Sequence, residues 1–304
     1  MKIFQKNSLI IPLALTGALF LTPVATPVAI AAAPSVNVSV KVSQSAQTGV
    51  DWTKGKDSVI TAKGLGLPKN GSTALARVAA TMDAQRNLLS IIRGIQLDAD
   101  TLMEDLMVKS DVVKRNIAGT LKGAKIISEG ENPDGSYYVV MQVPLYGSAG
   151  SLASAAFSNF LSGIEHAAPP VVNRAETPLP QETVQSIDNT NYTGVVIDAD
   201  GLGLEPTFSP AIYDTNGRAI YGVENINPDF AVSEGMVNYA DTVADATANS
   251  RAGDNPLVVR AESVKGGAGP NTVNAVVSVE DGDRILLANE KSKMLDNCAV
   301  VMVK

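Results

Sequence analysis

The stretch VITAKGLGLPKN, Val59 to Asn70, sets a β-branched run directly before Gly64-Leu65-Gly66-Leu67. What those two glycines do decides how this part of the chain folds. The phrase returns as VVIDADGLGLEPT, Val195 to Thr207. Three readings compete: a phosphate-binding glycine loop, an internal repeat, or two strands that end alike. A dinucleotide loop needs a third glycine for close helix–strand packing. Lys69 stands there in the first copy and Pro206 in the second, and neither copy fits the Walker pattern. A duplication fails too, because a helix pattern follows the first copy and a hairpin pattern the second. Both copies are therefore read as strands that exit through glycines toward a proline, the first letting the chain turn closely over a sheet edge.

Working outward from the first copy, Asn70-Gly71-Ser72-Thr73 supplies a turn and an N-cap, and ALARVAATMDAQRNLLSIIRGI follows at helical period. Leu75, Val78, Ala79, Met82, Leu88, Leu89 and Ile92 give that helix a broad apolar stripe. Its alanine face, around Ala76, Ala79, Ala80 and Ala84, suits close packing on a sheet, and Gly94 suits its C-cap. Asp111 to Leu121 reads as a second helix with Val112, Val113, Ile117 and Leu121 inward, whereas Thr101 to Met107 is ambiguous. A hairpin closes the unit: AKIISEGE, the turn Asn132-Pro133-Asp134-Gly135, then SYYVVMQVPLYG.

Residues 148–191 read as a connector, first the possible amphipathic helix Ser151–Ala167, then the proline-rich, extended APPVVNRAETPLPQET. The polar face of Ser151–Ala167 is Ser and Asn, so it fits a partner or the rest of the chain better than an anionic membrane. Residues 192–304 form the second domain. TGVVIDA, SPAIYD, RAIYG, PLVVRAESV, NTVNAVVSV and CAVVMVK read as strands, with Thr215-Asn216-Gly217 as a hairpin turn and Gly266 to Pro270 as a flexible break. Met236–Arg251 and Asp281–Lys291 read as helices. The fold class is thus α+β in two domains, 51–147 and 192–304, each a mostly antiparallel sheet with packed helices.

The amino terminus bears on compartment. Lys2 and Lys6, an apolar core from Leu9 to Leu21 and Ala29-Ile30-Ala31 describe a secretory signal peptide over residues 1–31. Its two lysines are its whole charge, so a net charge of −7 becomes −9 on removal. Residues 32–50 form an N-terminal arm in which VNVSVKVS, Val36 to Ser43, alternates like a strand that pairs within the chain or with another. The acidic balance argues against nucleic acid, and no later stretch is apolar enough to span a bilayer. The single cysteine, Cys298, precludes an internal disulfide. An exported location, periplasmic or associated with a bacterial cell envelope, follows, with no cysteine at the cleavage site to be lipidated.

Residues 51–147 resemble the Lpp-twenty lipoprotein-like family, which includes flagellar outer-membrane ring and assembly proteins of the P and T types. ITAKGLG, the alanine-spaced helix, IAGTLKGAKII and YYVVMQVPLYG carry the resemblance. It implies a non-enzymatic envelope component that assembles with itself or with envelope or flagellar proteins. The departure is the missing acylated cysteine after the signal.

Candidates for chemistry are few, and no catalytic, cofactor or metal residue is assigned. Asp198 and Asp200 before Gly201 begin a calcium loop, but the pattern stops after two carboxylates; Asp281-Gly282-Asp283 is as short, and exposed turn acids are the plainer reading of both. A weak calcium site at Asp198 and Asp200, within a ligand-binding or adhesive surface module, stays open as an alternative. So does a carboxylate hydrolase using Asp98, Asp100 and Glu104 in the acidic run that ends at Asp105, although aromatics at 5% argue against a sugar-stacking cleft. His166, the single histidine, sits in the connector as a solvated side chain, and Cys298 reads as a small buried hydrophobe in a strand.

Overall fold

A computed structural model describes residues 48–266 and 271–304, all of which lie in one compact unit. The signal peptide, the strand at Val36–Ser43 and most of the flexible break before Pro270 lie outside the described residues.

The N-terminal half is built on a sheet ordered β1-β2-β4-β3, from β1 (Gly49–Asp51), β2 (Val59–Gly66), β3 (Lys125–Glu131) and β4 (Tyr137–Pro144), antiparallel throughout. Helix α1 (Thr73–Arg93) lies across β2 and β4. Ser72 caps it as its sequence predicts, the hydroxyl accepting the Leu75 N–H at 3.4 Å. The row that faces the sheet is Ala76, Ala80, Ala84, Leu88 and Ile92, spaced by four. Opposite it, Ile60, Ala62, Gly64 and Gly66 alternate inward along β2 in register with Val143, Met141, Val139 and Tyr137.

The glycines explain the alanines. A Cβ on Gly64 would sit 2.1 Å from the Ala84 nitrogen and 2.2 Å from the Ala80 oxygen. One on Gly66 would sit 2.0 Å from the Ala76 oxygen. Helix backbone therefore rests directly on strand backbone, and β2 runs through both glycines without a bulge. This corrects the sequence reading: the first Gly-Leu-Gly-Leu does not turn the chain over an edge but clears room for a helix. It also turns the expected stripe around. Leu75, Val78 and Met82 are 52%, 56% and 62% exposed, since small residues win the inner face once the strand has no side chains to fill a gap. Helices α2 (Met103–Lys109) and α3 (Asp111–Lys122) follow, with Val113, Ile117 and Leu121 buried and Val112, expected inward, half exposed.

Between the halves, Ala153–Phe157 form a π-helical turn that runs into the short α4 (Ser158–Leu161). Ala153, Ala155, Ala156, Phe157 and Leu161 are buried, so this stretch is a piece of core. The proline-rich stretch, expected to be extended, then yields α5 (Gln181–Asn189).

The C-terminal half carries β5 (Gly194–Asp198), β6 (Ile212–Asp214), β7 (Ala219–Tyr221), α6 (Pro228–Glu234), β8 (Asn238–Ala240), α7 (Val243–Thr247), β9 (Pro256–Arg260), β10 (Ser263–Lys265), β11 (Asn274–Val277), α8 (Val279–Ser292) and β12 (Val300–Val303). The chain as a whole is mixed α and β. Here, however, the expected antiparallel arrangement does not hold. One sheet, ordered β8-β12-β5-β9, is parallel throughout, and the other, β10-β11-β6-β7, is mixed. The burial agrees: Val195 to Ile197 and Val300 to Val303 are all buried, as strands covered on both faces must be. The helix expected over 236–251 is instead β8, a Thr242-capped turn and α7, because Asn238, Tyr239 and Ala240 are all buried in that sheet.

One apolar core runs through both halves. Phe208 is its hinge, with ring centroids 5.7 Å from Trp52, 5.5 Å from Tyr146 and 5.1 Å from Phe157. Backbone joins the halves as well: Phe208 N–H donates to the Gln96 carbonyl at 3.2 Å and Ser209 N–H to that of Leu97 at 2.9 Å.

Candidate functional site

Two surfaces stand out against this frame. The first is the outer face of α1. At about 100° per residue, Leu75, Val78 and Met82 point directly away from the alanine row that touches the sheet. Of the twelve large hydrophobic side chains exposed among the described residues, nine lie between Leu65 and Ile127. Scattered exposed apolar groups are ordinary; here three stand on one helix face, in the half that holds most of them, and make a local apolar patch.

The second surface lies where the parallel strands end, the customary ligand position in such sheets. Asp241 follows β8, Lys304 follows β12, and Pro206 closes the loop after β5; with Trp52, Thr61 and Gln142 they line a groove of about 800 Å³. The Lys304 ammonium is 2.5 Å from the Asp241 carboxylate.

The second Gly-Leu-Gly-Leu occupies the loop after β5. Gly201 and Gly203 both have φ of +76°, with open space where a Cβ would stand. They serve a turn and not a close approach. The next element is β6, so no helix N-terminus lies behind the loop to hold a phosphate. Both carboxylate oxygens of Asp198 are engaged: Oδ2 accepts from Arg260 Nη1 at 2.7 Å and Oδ1 from the Asp200 N–H at 3.1 Å. Arg260 Nη2 also donates to the Asp200 carbonyl at 2.7 Å. Among the described residues, no group of three or more His, Cys, Asp or Glu is placed to hold a metal ion.

The acidic run 98–105 is spent largely on backbone. Asp98 Oδ1 accepts the N–H groups of Asp100 and Thr101, both at 2.8 Å, and Asp105 accepts that of Leu102 at 2.9 Å. Glu104 is exposed in the first turn of α2. His166 is exposed in the connector. Cys298 is fully buried, and burial raises its thiol pKa, which makes it unreactive. It sits at φ +51° in the turn before β12, not in the strand where the sequence placed it.

Two polar centres, one buried and one partly buried, were not evident in the sequence. Asp214 and Asp283 are 2% and 3% exposed, and Arg218 bridges them, Nε to Asp214 at 2.9 Å and Nη2 to Asp283 at 2.6 Å. Thr177 of the connector donates its hydroxyl to the second oxygen of Asp283 at 2.6 Å. Asp283 is thus no exposed turn acid: it lies in the first turns of α8, which packs on β6 and β7. Asp281, by contrast, is the partly exposed partner of Arg284. The other centre is Arg251, which donates to the carbonyls of Glu234, Gly235 and Cys298 and so ties the end of α6 to the turn before β12. Asp214 and Arg218 stand four apart around Asn216-Gly217, a spacing that points to a turn-locking pair; the contact with Asp283 is long-range and leaves no local trace.

Among the described residues no helix is long and apolar enough to cross a membrane. No curated protein matches the chain. Residues 194–304 match a family model described as Treponema pallidum Tp0624, second domain, which begins at the first residue of β5 and covers less than half of the chain.

Proposed function

We propose that this chain is an exported component of a bacterial cell envelope, periplasmic or envelope-associated, that works by assembling with itself or with envelope partners, flagellar ones among them, and not by catalysis. The observation that carries the reading is the outer face of α1. Leu75, Val78 and Met82 face solvent on a helix whose opposite face is locked against the sheet through Gly64 and Gly66. A surface of that kind is suited to helix-face docking, in which side chains spaced by three and four residues act as anchors. Two features of the sequence support the setting: the signal-peptide pattern of residues 1–31, and the resemblance of residues 51–147 to envelope-assembly modules.

The experiment is sedimentation of the mature protein together with cross-linking in intact envelopes. Self-association or a discrete cross-linked partner is expected, and a Val78→Lys, Met82→Lys double variant should lose it while its melting temperature holds. A wild-type protein that stayed monomeric and cross-linked to nothing would remove the proposal.

A further inference from the structure

The groove of about 800 Å³ at the ends of the parallel strands also crosses the face of the N-terminal sheet turned away from α1. Ile60 and Ala62 are buried toward α1, so Thr61 between them faces the groove. Gly49, Thr61 and Gln142 are partners in register and form one row across β1, β2 and β4, which Ile127 of β3 extends. Thr61 is 7% exposed, yet its hydroxyl bonds to no group of the described residues and is not sealed from solvent. The Gln142 amide and the Trp52 indole N–H are likewise unbonded among the described residues and open to solvent. A few unengaged polar groups converging on one groove are the mark of a binding site.

The chemistry of the lining narrows what it takes. Thr61 and Gln142 each offer a donor and an acceptor, the combination that a peptide group requires. Gly49 lines the groove with backbone alone, and the outer edge of β1 pairs with no strand of the described residues. Val50, Val59, Ile127 and Pro206 add aliphatic surface. A sugar would call for stacking faces, but the aromatic of the described lining, Trp52, is already packed edge-to-face against Phe208 and Tyr239. Lys304 is paired with Asp241. Asp51 is held by Thr53 through one carboxylate oxygen and has no cation beside it among the described residues, so one negative charge is left uncompensated. Strands lie about 4.8 Å apart, so the row across four of them spans roughly 15 Å, the length of about four or five extended residues.

We propose that this groove binds an extended peptide segment of a partner protein, with aliphatic side chains, a lysine or arginine at the Asp51 end, and backbone amides bonded to Thr61 and Gln142. The groove is separate from the outer face of α1 and does not depend on assembly through that face.

Trp52 is the single tryptophan of the chain, so its emission reports occupancy of the groove. The test is titration of the mature protein with acetyl-Lys-Val-Ser-Val-Lys-amide, followed by that emission and by calorimetry. The comparators are the same peptide with N-methylated backbone amides, its glutamate-ended counterpart, and chitotriose. The lysine-ended peptide is expected to bind and shift the emission, and all three comparators to bind more weakly. Thr61→Val, which keeps the shape and removes the hydroxyl, and Gln142→Met should each weaken the peptide roughly five- to tenfold. The Val78→Lys, Met82→Lys variant should bind it as wild type does. No binding of the lysine-ended peptide, equal binding of its N-methylated form, tighter binding of chitotriose, or loss of binding in the α1 variant would each overturn the proposal. So would binding indifferent to both Thr61→Val and Gln142→Met; if Thr61→Val does not fold, the response to Gln142→Met decides by itself.

Discussion

Gly64 and Gly66 sit inside a regular strand with helix backbone pressed onto them, whereas Gly201 and Gly203 sit in an open loop at φ +76° with nothing near. The same four-residue phrase thus meets two unrelated demands. In the first copy glycine is required because a side chain has nowhere to go; in the second, because the backbone takes a left-handed conformation. The distinction runs through the halves that contain them. The N-terminal half is antiparallel and tightens by removing side chains. The C-terminal half is largely parallel and closes with turns and with buried charge.

The largest effect expected from this contrast is at Gly64. Gly64→Val would drive its side chain into the backbone of Ala80 and Ala84, which cannot rotate out of the way. Overpacking of this kind costs about 3 kcal/mol or more, or roughly 10 °C of melting temperature for a chain of this size. Calorimetry would show it, and release of the Cys298 thiol, buried in the native protein, would report the same transition. A variant that melted within a degree or two of wild type would mean that α1 can lift off β2 and that the first copy is not a packing device.

Next comes the charge buried in the C-terminal half. Arg218→Met leaves Asp214 and Asp283 facing one another without their shared cation. Removing one partner of a fully buried pair costs about 3–5 kcal/mol. The Arg218 side chain is 32% exposed, so solvent screening reduces the expectation to about 2–3 kcal/mol. The double variant Asp214→Asn, Asp283→Asn in the Arg218→Met background should recover part of that loss in urea unfolding. Failure to recover any would show that the triad contributes by packing and not by charge.

These two sites also show what could be read in the chain beforehand. The Ser72 cap, the hairpin at Asn132 to Gly135 and the burial of Cys298 rest on local chemistry and were legible. The inner face of α1 was only half legible. The alanine row was visible, but Leu75, Val78 and Met82 look more hydrophobic, and nothing in the helix itself says that its neighbour is a strand of glycines. The parallel order of β5, β8, β9 and β12 depends on crossovers that no local period encodes. Asn238 to Ala240 is too short and too fully buried to alternate, so β8 was absorbed into a neighbouring helix pattern. Asp283 meets Arg218 across 65 positions, and proximity of that kind is a product of the fold.

A smaller effect separates dihedral from space at the second copy. Gly203→Ala meets no neighbour and pays for its φ alone, about 1 kcal/mol. Gly203→Asn should cost less, because asparagine tolerates the left-handed region. At Gly64 the order should vanish: asparagine is as damaging as any side chain of its size. If Ala and Asn at Gly203 ranked the other way in paired thermal melts, the loop would be shaped by contacts and not by backbone conformation.

The smallest expected change in stability carries the most about function. Val78→Lys and Met82→Lys lie on the side of α1 turned away from the sheet, at 56% and 62% exposure. Substitutions at such positions usually fall within about 0.5 kcal/mol of wild type. Long, straight side chains are also well accommodated in helices, so lysine should not weaken α1 by propensity. Stability held constant therefore isolates the surface itself. If the double variant loses self-association or partner cross-linking at an unchanged melting temperature, the outer face of α1 is the docking face. If assembly persists, the contact belongs elsewhere, and the alanine face would remain the one face of α1 with an assigned purpose.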